Sequence, residues 1–285
     1  MVALEQYRRM AAALAKAGIE DAEYEADLMF RHITGRSRLA FLPEEPLAPK
    51  MQAALQQLCD DRCTRRPLQY LLGEWGFCNV VLKVGEGVLI PRADTETVVE
   101  KALELIAPCK APRVLDLCAG SGAIGIAIKH ERKDAQVTCV ELSPKALYYL
   151  RQNAAPEEVD VVEADVLGYE NQLLDTRYDL IISNPPYVTD AEYAALAPEL
   201  AYEPKMALVA AQEGLRFYEY ITKAYAPKLA EGGWLCFEIG ASQRTDVCGF
   251  FEKNGYTEIQ SIQDYAALDR CVFGRKRNVS AKMKL

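Results

Sequence analysis

The chain has 285 residues, half of them hydrophobic and 26% charged, which is ample for a full core and excludes a disordered polar chain. A formal net charge of −8 argues against a protein that grips nucleic acid mainly through phosphates, although a local basic patch can sit on an acidic surface. No apolar run is long enough to cross a bilayer, which excludes a helical membrane span.

The first stretch, MVALEQYRRMAAALAKAG, spaces charges among its apolar residues. It reads as an amphipathic helix with a C-cap at Gly18, not as a secretory signal. Asp21 to Gly35 repeats the pattern, the Pro-rich FLPEEPLAPK follows, and MQAALQQLCDDRCTRR is a third helix ended by Pro67. Residues 1–72 are therefore expected to form a small helical bundle. Nine cysteines, an odd number at scattered spacing with no C-x-x-C, point to reduced thiols and a cytoplasmic protein. Cys59 and Cys63 lie one helical turn apart, but His32 and His130, the two histidines, are distant from them in sequence. Small core residues are expected there rather than zinc, and no metal site is expected.

Residues 73–90, GEWGFCNVVLKVGEGVLI, mix glycines, aromatics and β-branched residues and read as a β-hairpin linker. Over residues 91–285 strands alternate with helices. RVLDLC, QVTCVEL, VDVVEAD, YDLIISN and GGWLCFEIG are strands, and SPKALYYLRQNA is a helix with a Ser143 cap and Pro144 in its first turn. YTEIQSI and RCVFGRK close the chain with no helix between them, so an antiparallel pair at one edge is expected. Seven strands with helical crossovers imply a doubly wound α/β domain that binds ligands at the carboxyl ends of its strands.

DLCAGSG, Asp116 to Gly122, joins a strand to a helix, and its glycines would let a ligand approach the backbone and helix N-terminus. By itself this is also what a tight βα turn looks like. Two acids add to it. Glu141 ends the next strand, where an acid can accept both hydroxyls of a ribose. Asp116 precedes the glycines, where it would repel a pyrophosphate but suit a cation, and Cys118 replaces the first glycine of the dinucleotide pattern. Asp165 ends the third strand, placed to meet an adenine amino group. A ligand with ribose, adenine and a positive centre is S-adenosyl-L-methionine, a reading favoured here over a nucleotide or dinucleotide.

SNPPYVTD, Ser183 to Asp190, stops the strand YDLII on two prolines, which cannot donate to a sheet. Asn184 should lie at the same carboxyl edge as the glycine loop. Its side-chain oxygen and the Pro185 carbonyl are two acceptors on a rigid corner, which suits a planar NH2 group, and Tyr187 can stack on that group's face. Such a nitrogen is a poor nucleophile. Fixed acceptors would aim it at a sulfonium methyl by positioning and electrostatics, and no histidine or carboxylate pair stands near to act as a strong base. The competing reading is a strand-ending loop without chemical meaning.

N-P-P-Y on this scaffold resembles the amino-methyltransferases of adenine N6, guanine N2 or glutamine amides. LIPRADTETVVE, RRPLQYLLGEWGF, DLCAGSGAIGIAI, YEPKMALVAAQEGLRFYEYI and GGWLCFEIGASQ together resemble, in order, the blocks of the release factor glutamine methyltransferases. The resemblance implies a Rossmann-like, S-adenosylmethionine-dependent methyltransferase domain of seven strands, the last antiparallel, behind a helical substrate-recognition domain. It implies methylation of the glutamine side-chain nitrogen in the Gly-Gly-Gln loop of class 1 peptide chain release factors, with S-adenosyl-L-homocysteine as the other product.

By matching motifs, Asn184, Pro185, Pro186 and Tyr187 would hold the amide. Cys118, Ala119, Gly120, Ser121 and Gly122 would line the cofactor, with Asp116, Glu141, Leu142, Asp165, Val166 and Asn184 around it, and the helical domain would contact the release factor. Arg92 and Glu96 would either shape the wall between cofactor and substrate or form a salt-bridged helix start capped by Asp94 or Thr95.

Three departures from the family pattern stand out. Ala93 replaces a proline. Cys118 replaces a glycine, so positive φ is not expected there. Lys83 stands where family members often carry a phenylalanine, and it changes the cofactor contact if that aromatic packs there. The alternatives are a nucleic-acid amino-methyltransferase, favoured only by the basic tail GRKRNVSAKMKL, and a non-enzymatic, cofactor-dead scaffold that binds release factors or ribosomes. A monomer without a nucleic-acid substrate is expected.

Overall fold

The computed structural model describes residues 2–173 and 176–277; residues 278–285 of the basic tail lie outside them. The chain divides into two compact units. The first comprises Met1–Glu74 together with Ala197–Tyr202. It holds helices α1 (Ala3–Lys16), α2 (Ala22–Thr34), α3 (Pro49–Cys63) and the short α4 (Leu68–Leu72). Their apolar stripes meet in a core of Met10, Leu14, Met29, Phe30 and Leu55. The third helix stops at Cys63 and not at Pro67: Arg65 turns left-handed at φ 70°, and Pro67 instead precedes α4. Buried Arg62 bridges Glu25, at 2.6 Å, and Glu199, at 3.2 Å, so a segment distant in sequence is tied to this unit by a shared guanidinium.

The hairpin β1 (Glu74–Phe77) and β2 (Val80–Lys83) begins at the boundary residue Glu74 and leads into the second unit, which starts at Trp75 and continues with α5 (Ala93–Ile106). Next come β3 (Arg113–Leu117), α6 (Ala123–Glu131), β4 (Gln136–Glu141), α7 (Pro144–Ala154), β5 (Asp160–Glu163), the single turn α8 (Val166–Tyr169) and β6 (Tyr178–Ser183). Two more short turns, α9 (Asp190–Tyr193) and α10 (Lys205–Leu208), precede α11 (Arg216–Ala224), β7 (Leu229–Glu238), α12 (Arg244–Lys253), β8 (Thr257–Gln263) and β9 (Asp269–Arg275). The sheet order is β5-β4-β3-β6-β7-β9-β8, parallel except for β9, which pairs antiparallel with both neighbours.

Alternation along the strands builds a core on each face. Val114, Leu180 and Ile182 face α5 and α6 residues such as Val98 and Ile126. Leu115, Ile181 and Phe237 face Tyr218, Ile221 and Phe251. The chain winds outward from β3 through β4 to β5 and then returns to β6 on the other side of β3. That reversal opens a crevice at the carboxyl ends of β3 and β6. Register brings the crevice residues together: Leu117 pairs with Ser183, so Cys118 and Asn184 leave the sheet side by side. Leu117 also pairs with Val140, which puts Glu141 one step beyond.

Candidate active site

A cleft opens at this edge and holds about 980 Å³ of empty space out to its mouth. Asp116, Cys118, Ala119, Gly120, Ser121, Glu141, Leu142, Asp165, Val166, Asn184, Pro186 and Arg92 all line it. Gly122, Pro185, Tyr187 and Glu96 do not. Glu96 accepts from the Cys78 backbone N–H at 2.9 Å and so anchors the hairpin turn to α5. Lys83 is also outside the cleft; its backbone is held by Asn153, whose amide bonds both its N–H and its carbonyl.

Cys118 has φ 58°, contrary to the expectation that a non-glycine there would not need the left-handed region. The turn imposes it. Ala119 N–H must bond Val140 carbonyl across the sheet at 3.0 Å, and Gly122 N–H bonds back to Ala119 carbonyl at 2.8 Å. Changing the residue does not change that backbone path, so cysteine carries a left-handed strain of about 1 kcal/mol. Burial pushes its thiol pKa up, so it stays neutral.

Glu141 organises the loop. Its Oε2 accepts from Gly120 N–H at 2.8 Å, and Oε1 accepts from the N–H groups of Leu142 and Ser143 at 2.9 and 2.7 Å. Asp165 caps α8, accepting from Leu167 N–H through Oδ1 at 2.9 Å. A Cβ added at Gly120 would meet nothing within 4 Å, so the space over this turn is open to a ligand.

Asp116 lies beneath the loop, 1% exposed. Its Oδ2 accepts from Gly125 N–H at 2.9 Å and from the Cys139 thiol at 3.7 Å. The space is tight enough to require Gly125, whose Cβ would lie 2.5 Å from Cys139 Sγ. Oδ1 has no hydrogen-bond partner among the described residues. Burial, only partly offset by those two bonds, pushes its pKa up to about 7. A buried carboxylate with one unsatisfied oxygen in a cleft wall fits a ligand that carries positive charge. Together with Glu141, Asp165, the exposed Leu142 side chain and the open glycine turn, it fits a cationic nucleoside such as S-adenosylmethionine.

Chain order did not signal other parts of the wall. Val88, Ile90, Thr95, Met206 and Phe217 line the cleft. Arg92 is ion-paired to buried Glu203, whose Oε2 also accepts from Ile90 N–H at 3.0 Å. Glu203 thereby locks the I-P-R segment against the wall that carries Pro204 and Met206. Helix α5 starts at Ala93 with no side-chain cap. Asp94 pairs with Arg270 at 3.3 Å, and Thr95 hydroxyl donates to Glu238 at 2.6 Å, so neither caps the helix.

The N-P-P-Y corner is clamped from behind. Tyr187 and Val188 N–H both donate to Leu208 carbonyl, and Gln243 Nε2 donates to Tyr187 carbonyl at 3.0 Å. Gly214, at φ 77°, packs where a Cβ would lie 2.1 Å from that same carbonyl. Gly214→Ala is expected to push Tyr187 out of place and lower methyl transfer at least tenfold with little change in cofactor affinity, measured by initial rates and calorimetry. Wild-type rates in Gly214→Ala would show that the clamp is not needed.

The sheet order and the cleft at its carboxyl edge define an α/β methyltransferase. Residues 96–212 match the methyltransferase small domain family, and residues 5–73 match the PrmC N-terminal domain. The chain belongs to the release factor glutamine methyltransferase family. It is 40% identical to the release factor glutamine methyltransferase of Geobacter sulfurreducens, with 92% of each chain covered. It is 41% identical to that of Fusobacterium nucleatum over 74% of this chain, and spans 60% of that relative's length. Two solved structures share the fold. One is hMettl16 catalytic domain bound to an RNA hairpin, with TM-score 0.55, 13% identity and coverage of 68% of this chain and 74% of that one. The other is a Thermus thermophilus 16S rRNA N2 G1207 methyltransferase with AdoMet and guanosine, with TM-score 0.51, 18% identity and coverage of 72% and 50%. Among the described residues no helix is long and apolar enough to cross a membrane.

Proposed function

We propose that this protein transfers a methyl group from S-adenosylmethionine to the side-chain amide nitrogen of the glutamine in the Gly-Gly-Gln loop of class 1 peptide chain release factors. It would act in the cytoplasm as a monomer, without a nucleic-acid substrate. The observation that carries the reading is one cleft lined both by a glycine loop with three acids and by the Asn184 corner.

In this reading Glu141 binds the ribose hydroxyls and Asp165 the adenine amino group, with Leu142 against the base. Asp116 Oδ1 takes the positive charge of the cofactor's methionyl end. The cofactor supplies an electrophilic methyl carbon on a sulfonium that leaves as neutral S-adenosylhomocysteine. Asn184 Oδ1 and the Pro185 carbonyl accept the two amide N–H bonds, which orients the nitrogen and raises its electron density. Tyr187 covers the amide face. The nitrogen gains a carbon and loses one proton to water or to these acceptors, so no strong base is needed.

Labelled S-adenosylmethionine tests this. Purified protein is incubated with a release factor, with the same factor carrying alanine for the Gly-Gly-Gln glutamine, and with bulk DNA and RNA. Label on the intact factor alone is expected. Label on nucleic acid would mean an amine site with a different substrate.

A further inference from the structure

We propose that Glu238 is a positioning residue for the transfer site: by accepting the hydroxyl protons of Tyr187 and Thr95 together, it fixes the phenol at the N-P-P-Y corner. The proposal rests on the function proposed above and deepens it.

Glu238 ends β7. Ser183 pairs with Phe237, so Glu238 stands level with Asn184 on the neighbouring strand, 1% exposed. Its Oε2 accepts from Thr95 hydroxyl at 2.6 Å and its Oε1 from Tyr187 hydroxyl at 3.3 Å. Both donors are neutral. The nearby Arg270 guanidinium bonds Asp264 at 3.0 Å and Asp94 at 3.3 Å.

Burying a carboxylate on two hydroxyls is expensive where a neutral amide would fill the same space. A carboxylate does one thing an amide does not: it accepts on both oxygens. Both hydroxyls must then point their protons inward, which fixes the torsion of each. Thr95 lines the cleft, and Tyr187, outside that lining, ends the N-P-P-Y corner that Asn184 opens, so Glu238 ties the cleft wall to that corner.

Protonation would break the arrangement, because a neutral acid has one donor and must turn one hydroxyl away. Burial pushes Glu238 up to about 7, against the opposing pull of Thr95, Arg270 and Tyr187, while Asp94 adds to the rise. Burial raises the neighbouring Tyr218 and Cys271 as well, and the Glu238 charge adds to the rise of both. Burial and Glu238 hold the Tyr187 phenol well above its usual range, so it remains a donor throughout. The wild-type rate at saturating substrates should therefore rise as pH passes upward through about 7.

The test uses the full chain with 13Cζ-labelled tyrosine, the Tyr187 signal being assigned by its loss in Tyr187→Phe. In wild type this signal should shift with a midpoint near pH 7, and in Glu238→Gln it should not. That readout needs no activity, so it fails independently of the proposed reaction. On release factor, Glu238→Gln should lose about tenfold or more in kcat with cofactor affinity kept, and its loss should not add to that of Tyr187→Phe. Thr95→Val, which removes the other donor, should shift the Tyr187 midpoint upward. A Tyr187 signal indifferent to pH in wild type, or additive losses in the double variant, would overturn the proposal.

Discussion

Asn184→Ala should bind S-adenosylmethionine nearly as wild type and transfer methyl at least one hundredfold more slowly. An amide nitrogen is unreactive because its lone pair is shared with the carbonyl. Asn184 stands one residue beyond the Leu117–Ser183 pair, so its backbone leaves the sheet at a position fixed by the β3–β6 register. A preorganised acceptor of this kind acts on charge that develops as the nitrogen attacks, and removing one such contact costs about 10²–10³ in rate. The glycine loop, Glu141 and Asp165 are untouched, which is why affinity should persist. The measurement is single-turnover transfer alongside calorimetric titration of cofactor. An active Asn184→Ala enzyme would sink the mechanism.

Asp116→Asn should weaken cofactor binding at least tenfold at pH 8 while making the protein more stable there. The asparagine oxygen can keep the Gly125 N–H bond, and its amide nitrogen would then occupy the position of the unpartnered Oδ1. The sign of the stability effect follows from linkage. The folded pKa of about 7 lies above the ordinary aspartate value of 3.8, so the folded protein holds the proton more tightly between them. The penalty for ionising Asp116 is absent below about pH 4, grows through the interval and is full above about 7, reaching the order of 4 kcal/mol. Thermal denaturation across pH 5 to 8 should show a smaller fall in Tm for Asp116→Asn than for wild type. Glu238 shifts in the same direction, so part of the slope should remain in the variant. Cofactor affinity should rise with pH through about 7 in wild type, as Asp116 becomes ionised, and less in the variant. Unchanged affinity with an unchanged pH slope would mean that Asp116 only packs the loop.

The residues at strand ends were legible in the sequence because order along the chain sets them. Once β3, β4, β5 and β6 are recognised as strands of one doubly wound sheet, Asp116, Glu141, Asp165 and Asn184 must share an edge. Contacts made across the fold were not legible. Glu203 lies in the quoted YEPK block, yet nothing in that block says it will bond Ile90 and Arg92. Glu238 carried a usable signal, an acid at the end of a strand, the same signal that marked Glu141 and Asp165. It was hidden because its donors, Thr95 and Tyr187, lie 143 and 51 residues away. Cys118 shows a different limit: a residue type suggested a relaxed backbone where the turn demanded a left-handed one. Glu96 was placed near the cleft by its neighbours in sequence, but the helix points it at the hairpin turn.

The most direct measurement is tandem mass spectrometry of a release factor after one turnover with methyl-deuterated S-adenosylmethionine. The expected result is a single trideuteromethyl group on the side-chain nitrogen of the Gly-Gly-Gln glutamine. Label on any other residue, or cofactor consumed with the glutamine unmodified, would contradict the central claim that this cleft aims an amide nitrogen at a sulfonium methyl.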